Sequence, residues 1–257
     1  MRIVIKVGTS TLAHPGGLLN IKRVEQLCKV ISDLKNSGHD IVLVSSGAIG
    51  MGVGKLRLKE KPADITAKQA AAAVGQCELM YTYDKLFSEY SHTVAQILIT
   101  GADFENKERY TNFVNTINKL LEFSALPVIN ENDTVATEEI KVGDNDTISA
   151  MVAVSVNADL LILLSDIDGL FTADPHVDPN ASLISVVSEI DDKIISLAGG
   201  RFSSLGTGGM ITKLKAAQIC TFSGCDMVIA NGKNPDNLYG ITEGKSIGTR
   251  FIKKQVD

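Results

Sequence analysis

Ile3-Val4-Ile5-Lys6-Val7 opens the chain as a short apolar run, and Ile41-Val42-Leu43-Val44 repeats that pattern further along. Between these runs, apolar residues recur at spacings of three and four, which is typical of one face of an amphipathic helix. These residues are Ile21, Val24, Leu27, Cys28, Ile31 and Leu34. Short runs that are almost wholly apolar predict strands buried on both faces, as in a parallel sheet. The chain therefore begins with a strand–helix–strand unit.

The same alternation continues toward the end of the chain. Further strands are predicted over residues 94–99, 127–129, 160–164 and 226–230, and further helices over 65–90, 111–123, 146–156 and 210–222. Residues 46–54 and 206–209 are predicted to be glycine-rich loops. We therefore expect an α/β three-layer sandwich with a mainly parallel central sheet and helices on both faces. No linker divides the sequence, so residues 1–257 are predicted to form a single domain.

Composition and charge exclude several classes of protein. Hydrophobic residues make up 44% and charged residues 21%, which is close to globular averages and argues against disorder. A formal net charge of −5 argues against a dedicated nucleic-acid binder. Leu160–Leu164, which is as long as any apolar run in the sequence, is too short to cross a bilayer, and Lys6 interrupts any signal-peptide pattern. Four cysteines without a CxxC pair predict reduced, buried thiols in a cytoplasmic protein.

Three features exceed what folding alone requires. Lys6 lies inside the first strand, either at a sheet edge or pointing into the crevice where α/β proteins bind ligands. Glycine-rich segments at 45–50 and 206–210 precede helices, whose N-terminal amides bind anions, and Lys213 follows the second segment. Amides and carboxylates cluster at 130–133 and 143–146, where they could cap helices and turns or bind an amine, a metal ion or a lysine.

Positive groups near an anion, with carboxylates near an amine, suit phosphoryl transfer between two negatively charged reactants. Two unit charges about 4 Å apart repel by roughly 4 kcal/mol at an effective dielectric of about 20. That repulsion alone would slow the attack about a thousandfold. Lysines and a magnesium ion directed at the transferring group would offset it. Common sequence motifs do not identify the reaction, because the sequence has no Walker A loop, dinucleotide fingerprint, protein-kinase motif or GxSxG elbow.

Seven segments together resemble the glutamate 5-kinase branch of the amino acid kinase family. They occur in family order and cover almost the whole chain: 5–10, 45–49, 68–69 with 73–76, 128–133, 140–146, 169–175, and 206–210 with 212–213. The runs Lys-Val-Gly-Asp-Asn-Asp (141–146) and Gly-Thr-Gly-Gly-Met (206–210) are the specific ones, whereas Thr-Ala-Asp-Pro (172–175) is shared more widely.

The resemblance implies the amino acid kinase fold and transfer of the ATP γ-phosphate to the side-chain carboxylate of L-glutamate, the first step of proline biosynthesis. Lys6 and Lys213 would stabilise the transferring phosphoryl group, and Asp146 would hold both ammonium groups in place. The residues implied to bind glutamate are Ser46, Asp133 and Asn145. Those implied to bind ATP are Lys6, Ser165, Asp166, Thr207, Gly208, Gly209, Met210, Ile211, Thr212 and Lys213. The N-terminal part would mainly bind glutamate and the C-terminal part ATP.

Cofactors and partners follow from the same resemblance. ATP would be the co-substrate, with Mg2+ bridging its phosphates and no protein side chain assigned as a metal ligand. Proline is expected as a feedback inhibitor and a homo-oligomer as the assembly, with neither nucleic acid nor membrane as partners. Because the sequence ends soon after Phe251, we expect the kinase domain without the C-terminal PUA domain that many members carry.

Two alternatives stay open at the level of the sequence. One is a related kinase that phosphorylates a different carboxylate, a carbamate or a nucleoside monophosphate. The polar runs at 130–133 and 143–146 argue against it. The other is a non-catalytic sensor of amino acids or nucleotides. The presence of both Lys6 and Lys213 argues against a sensor, because binding alone would tolerate the loss of one.

Overall fold

The computed structural model describes residues 1–14, 18–135, 145–175, 177–198 and 209–254. In those residues, strands and helices alternate along most of the chain, which confirms the α/β class. The strands are β1 (Arg2–Val7), β2 (Asp40–Ser45), β3 (Val94–Ile99), β4 (Leu126–Glu131), β5 (Leu160–Ser165), β6 (Val186–Val187), β7 (Asp226–Asn231) and β8 (Thr249–Phe251). The helices are α1 (Thr9–Leu12), α2 (Ile21–Asn36), α3 (Ala48–Lys55), α4 (Ile65–Ser88), α5 (Gly101–Glu105), α6 (Lys107–Glu122), α7 (Asn145–Ser155), α8 (Asp192–Leu197), α9 (Met210–Phe222) and α10 (Asn237–Thr242).

All the described strands form one sheet, in the order β3-β4-β2-β1-β5-β7-β8-β6. Among the strand pairs in the described residues, only β7 and β8 run antiparallel, which confirms a mainly parallel sheet. β1 lies at the centre, and the chain adds strands first on its β2 side and then on its β5 side. The carboxyl ends of β1 and β5 therefore meet at a topological switch point, where open α/β sheets bind ligands.

Helices cover both faces of the sheet, and each face has its own buried core. Because successive side chains of a strand point to opposite faces, Val4 and Ile5 of β1 belong to different cores. Val4 shares a core with Phe113 and with residues of α7 and α9. Ile5 shares the other with Tyr83 and with residues of α2 and α10. These two cores confirm the three-layer arrangement.

The prediction of a glycine-rich loop over residues 46–54 is wrong, because Ala48–Lys55 forms helix α3. Its glycines permit close contact between helices. A Cβ atom on Gly52 would lie 1.8 Å from the carbonyl oxygen of Ala71, and one on Gly75 would lie 1.8 Å from that of Ala48. The backbones of α3 and α4 therefore touch, and this packing outweighs the low helix propensity of glycine. The turn before α3 does need glycine, since Gly47 has a φ of 107°.

Smaller differences concern caps and exposure. Asp64 caps α4 by accepting a hydrogen bond from the backbone amide of Ala67 at 2.9 Å. Cys77 is exposed, against the prediction that all four thiols are buried, whereas the other three are buried. In the described parts of the chain, every helix is too short or too polar to cross a membrane.

Candidate active site

Two lysines and one aspartate meet at the carboxyl edge of the sheet. Lys6 comes from the central strand β1, Asp146 from the first turn of α7 and Lys213 from the first turn of α9. Nζ of Lys6 lies 2.6 Å from Oδ1 of Asp146, and Nζ of Lys213 lies 3.0 Å from Oδ2. We call these three residues the charge triad. The contact between α7 and α9 joins groups that are distant in sequence.

The charge triad is almost entirely removed from solvent. The side chain of Asp146 is 1% exposed, that of Lys213 5% and that of Lys6 12%. Burial raises the pKa of Asp146, but the charges and hydrogen bonds of the two lysines outweigh burial and hold the pKa below its ordinary value. Asp146 is therefore ionised at neutral pH. Two ammonium groups around one carboxylate leave an excess of positive charge, which favours an anion nearby.

A chain of polar side chains leads away from the triad. Asn145, next to Asp146, donates from Nδ2 to Oγ of Ser46 at 2.9 Å and to Oδ1 of Asn130 at 3.1 Å. Asn130 in turn donates from Nδ2 to Oε1 of Gln76 at 2.9 Å. We call Gln76, Asn130, Asn145 and Ser46 the amide chain. It ties together α4, the end of β4, the start of α7 and the residue after β2.

The ends of β5 and β7 form the other half of the same edge. The backbone amide of Gly232 donates to the carbonyl oxygen of Ser165 at 2.8 Å, and the Ser165 hydroxyl donates to Asp166 at 3.0 Å. Ser165 is buried, whereas Asp166 is exposed. Helix α9 begins after Gly209, which has no side chain to cap the first amides. Uncapped amides at the start of a helix favour an anionic ligand.

Comparison with known proteins places the chain in a family. A sequence model of the amino acid kinase family matches residues 1–231. The chain belongs to the amino acid kinase family. A protein of Clostridium acetobutylicum named glutamate 5-kinase is 55% identical over 253 residues, which is 98% of this chain and 95% of that protein. The protein of the same name from Clostridium perfringens is 52% identical, with 99% and 96% of the two chains covered.

Solved structures of two other kinases share the fold. An isopentenyl phosphate kinase superimposes with a TM-score of 0.67 at 16% sequence identity, covering 98% of this chain and all of the other. The carbamate kinase of Giardia lamblia bound to AMP-PNP also has a TM-score of 0.67, at 18% identity and 98% coverage of both chains. These likenesses confirm the predicted amino acid kinase fold.

In this amino acid kinase, the three residues predicted as catalytic lie in direct contact. Of the residues predicted to bind glutamate, Ser46 and Asn145 are hydrogen-bonded to each other. Asp133 lies in the turn after β4 and makes no hydrogen bond to either of them within the described residues. Burial raises the pKa of the Asp133 carboxyl, and the charge of Lys61 partly opposes that rise. Asp133 is thus the predicted glutamate residue that stands apart.

Apart from Lys6, which belongs to the charge triad, the residues predicted to bind ATP divide into three groups. Thr207 and Gly208 lie outside the described residues, as do Gly143 and Asp144 of the polar run. Ser165 and Asp166 lie at the end of β5. Gly209, Met210, Ile211, Thr212 and Lys213 lie at the start of α9, where the side chain of Met210 is part of the buried core. The hydroxyl of Thr212 donates to Oδ2 of Asp146 at 3.1 Å, which links this residue to the charge triad.

The sequence did not predict the individual roles of two members of the amide chain, Gln76 and Asn130. Gln76 falls inside a segment that carries the family resemblance, but no role was predicted for it. Asn130 was predicted only as part of the polar run 130–133, without a role of its own. Gln76 gives a signal in its spacing, because it lies one helical turn from both Ala72 and Leu79 on the buried face of α4. A polar residue within a buried apolar stripe indicates a specific partner.

Proposed function

We propose that this protein transfers the γ-phosphate of ATP to the side-chain carboxylate of L-glutamate and forms L-glutamate 5-phosphate, the first step of proline biosynthesis. The observation that carries the proposal is the charge triad, which brings the ammonium groups of Lys6 and Lys213 onto one carboxylate at the carboxyl edge of the sheet. Relatives at 52% and 55% identity over nearly the whole chain carry the name glutamate 5-kinase. Their name supports glutamate as the acceptor.

The chemistry needs charge stabilisation more than a base. The side chain of free glutamate has a pKa of about 4.3, so its carboxylate is already a nucleophile at neutral pH. One of its oxygens forms a bond to the γ-phosphorus of ATP, and the bond from that phosphorus to the bridging oxygen of ADP breaks. Lys6 and Lys213 would stabilise the negative charge on the phosphoryl oxygens during transfer. Asp146 would hold both ammonium groups in position.

The donor set fits a magnesium ion carried by the nucleotide. Each oxygen of Asp146 contacts a lysine ammonium group, so this carboxylate is not available as a ligand for a metal ion. Within the described residues, no cluster of three His, Cys, Asp or Glu side chains could hold a metal ion. Magnesium commonly binds through substrate phosphates and water, with few protein ligands. When bound in this way, it would neutralise phosphate charge, and Asp166, one of the predicted nucleotide residues, would offer it an exposed carboxylate directly after β5.

The two substrates would occupy different sides of β1. The residues that would bind glutamate lie on the β2 side of β1. Ser46 follows β2, Asp133 follows β4 and Asn145 begins α7. Ser165 and Asp166 at the end of β5, with the start of α9, would bind ATP. This division would correspond to the predicted single domain with an N-terminal glutamate part and a C-terminal nucleotide part. Inhibition by proline, a homo-oligomeric state and a cytoplasmic location stay predictions from the family resemblance.

The test is glutamate-dependent release of ADP by the purified protein in the presence of MgATP. Hydroxylamine should trap the acyl phosphate product as a hydroxamate. Parallel reactions with carbamate, uridine monophosphate and isopentenyl phosphate examine the chemistries named for proteins of the same fold. A protein that releases ADP at the same rate with and without L-glutamate would refute the proposal, whereas preference for one of the other acceptors would redirect it.

A further inference from the structure

Gln76 is a buried amide of α4 that the proposed reaction does not use. The residue is 7% exposed, and its Nε2 atom has no hydrogen-bond partner among the described residues. An unpaired buried donor lowers stability, so this position is costly for folding alone. The other end of the side chain is used, because Oε1 accepts the hydrogen bond from Asn130. The hydrogen bond from Asn130 is thus the one polar contact of Gln76 among the described residues.

One backbone amide fixes the orientation of Asn130. The backbone N–H of Glu131 donates to the side chain of Asn130 at 2.9 Å. A backbone N–H can only donate, so the atom of Asn130 that faces it must be the oxygen Oδ1. The Nδ2 group of Asn130 then faces Gln76, which accordingly presents Oε1. Gln76 thus holds the Asn130 amide from the side opposite to Glu131.

The orientation of Asn130 is passed on to Asn145. Oδ1 of Asn130 also accepts a hydrogen bond from Nδ2 of Asn145, whose second amide hydrogen goes to Oγ of Ser46. Both donors of Asn145 are then used, and its Oδ1 is buried without a partner in the described part of the chain. The Ser46 hydroxyl, which accepts from Asn145, keeps its own proton to donate. A free acceptor and a free donor lie side by side.

We propose that Gln76 is a positioning residue for the amino-acid substrate. Through Asn130 it fixes Asn145 so that Oδ1 of Asn145 accepts a hydrogen bond from the ammonium group of glutamate. The neighbouring Ser46 hydroxyl donates to a carboxylate of the same molecule. This pairing matches the opposite charges of an α-amino acid, and it rests on the proposed function. Gln76 itself does not contact the substrate.

The experiment compares Gln76→Leu with Gln76→Glu in the full-length protein. The leucine variant removes the acceptor for Asn130, so the KM for glutamate should rise about tenfold, as for one lost hydrogen bond, with kcat and the KM for ATP within about twofold of wild type. Gln76→Glu keeps a side-chain oxygen that faces Asn130, so the KM of this variant for the substrate glutamate should stay within about threefold of wild type. Cys77→Leu, on the exposed face of the same turn, is the matched control and should change neither KM.

A double-mutant cycle separates positioning from packing. If Gln76 acts through Asn130, Gln76→Leu should add no further rise in the KM for glutamate to an Asn130→Ala protein, whereas a packing role would give additive effects. An unchanged KM in Gln76→Leu, a tenfold rise in Gln76→Glu, or additivity in the cycle would each overturn this inference. Wild-type protein without glutamate-dependent turnover would instead overturn the proposed function.

Discussion

Replacing Lys213 with methionine removes one positive charge of the charge triad while keeping a side chain of similar length. The side chain of Lys213 is 5% exposed, so solvent screens its charge little. Removing one preorganised donor of this kind costs about 10²–10³ in turnover, or about 2.7–4 kcal/mol of transition-state stabilisation. We therefore expect kcat to fall at least about a hundredfold, with a smaller change in the KM for glutamate.

The fold should survive this substitution. Asp146 keeps its contact with Lys6 at 2.6 Å, so no buried carboxylate is left without a cation. The assay is release of ADP at saturating L-glutamate and MgATP, with circular dichroism to verify folding. Lys215→Met is the matched control, because Lys215 is exposed two residues further along the same helix and should leave kcat unchanged. Full activity in Lys213→Met, or an equal loss in both variants, would refute the catalytic assignment.

Other predictions follow from burial and close contact. Asp146→Asn should lower the free energy of unfolding by about 3–5 kcal/mol in urea denaturation, because two buried ammonium groups lose their shared partner; a change below about 1 kcal/mol would contradict that pairing. Since the folded-state pKa of Asp146 is lowered, its stabilisation is present above the unfolded value of about 3.9 and is lost as the pH falls through the folded value. The difference in stability between wild type and Asp146→Asn should therefore shrink below about pH 4. Gly75→Ala should cost about 1–3 kcal/mol, because its Cβ would collide with the carbonyl oxygen of Ala48. A wild-type melting temperature would argue against that contact. Only Cys77 should react rapidly with a thiol reagent in the native protein, and Cys77→Ser should abolish the fast phase.

Hydrophobic periodicity was sufficient for the elements that carry the charge triad. The helix predicted over 210–222 agrees with α9, because the apolar spacing within the helix and the glycine before it are both visible in the local sequence. The loop prediction for residues 46–54 was wrong because a single sequence does not distinguish a glycine needed for backbone freedom from a glycine needed for close packing. At Gly52 the deciding atom is the carbonyl oxygen of Ala71, a neighbour that exists only after folding.

Some residues of the candidate site could be predicted from the sequence, and others could not. From the sequence, Lys6 could lie either at a sheet edge or at the ligand-binding crevice, and the structure decides between them because its strand β1 lies at the centre of the sheet. Asp146 and Lys213 followed from the family resemblance, and the structure brings both to Lys6. The link from Gln76 to Asn130 joins a helix to a strand end and depends on side-chain orientation, so no spacing rule predicts it.

The central position of β1 has a consequence for the growing polypeptide. β1 is made first, and β2 can cover one of its edges early, but its other edge pairs with β5. Residues 46–159 must be synthesised before that partner exists, which takes on the order of ten seconds at ordinary rates of translation. During that interval a strongly apolar strand has an open hydrogen-bonding edge, a feature that invites aggregation. The nascent protein should therefore depend on ribosome-associated chaperones until β5 has emerged.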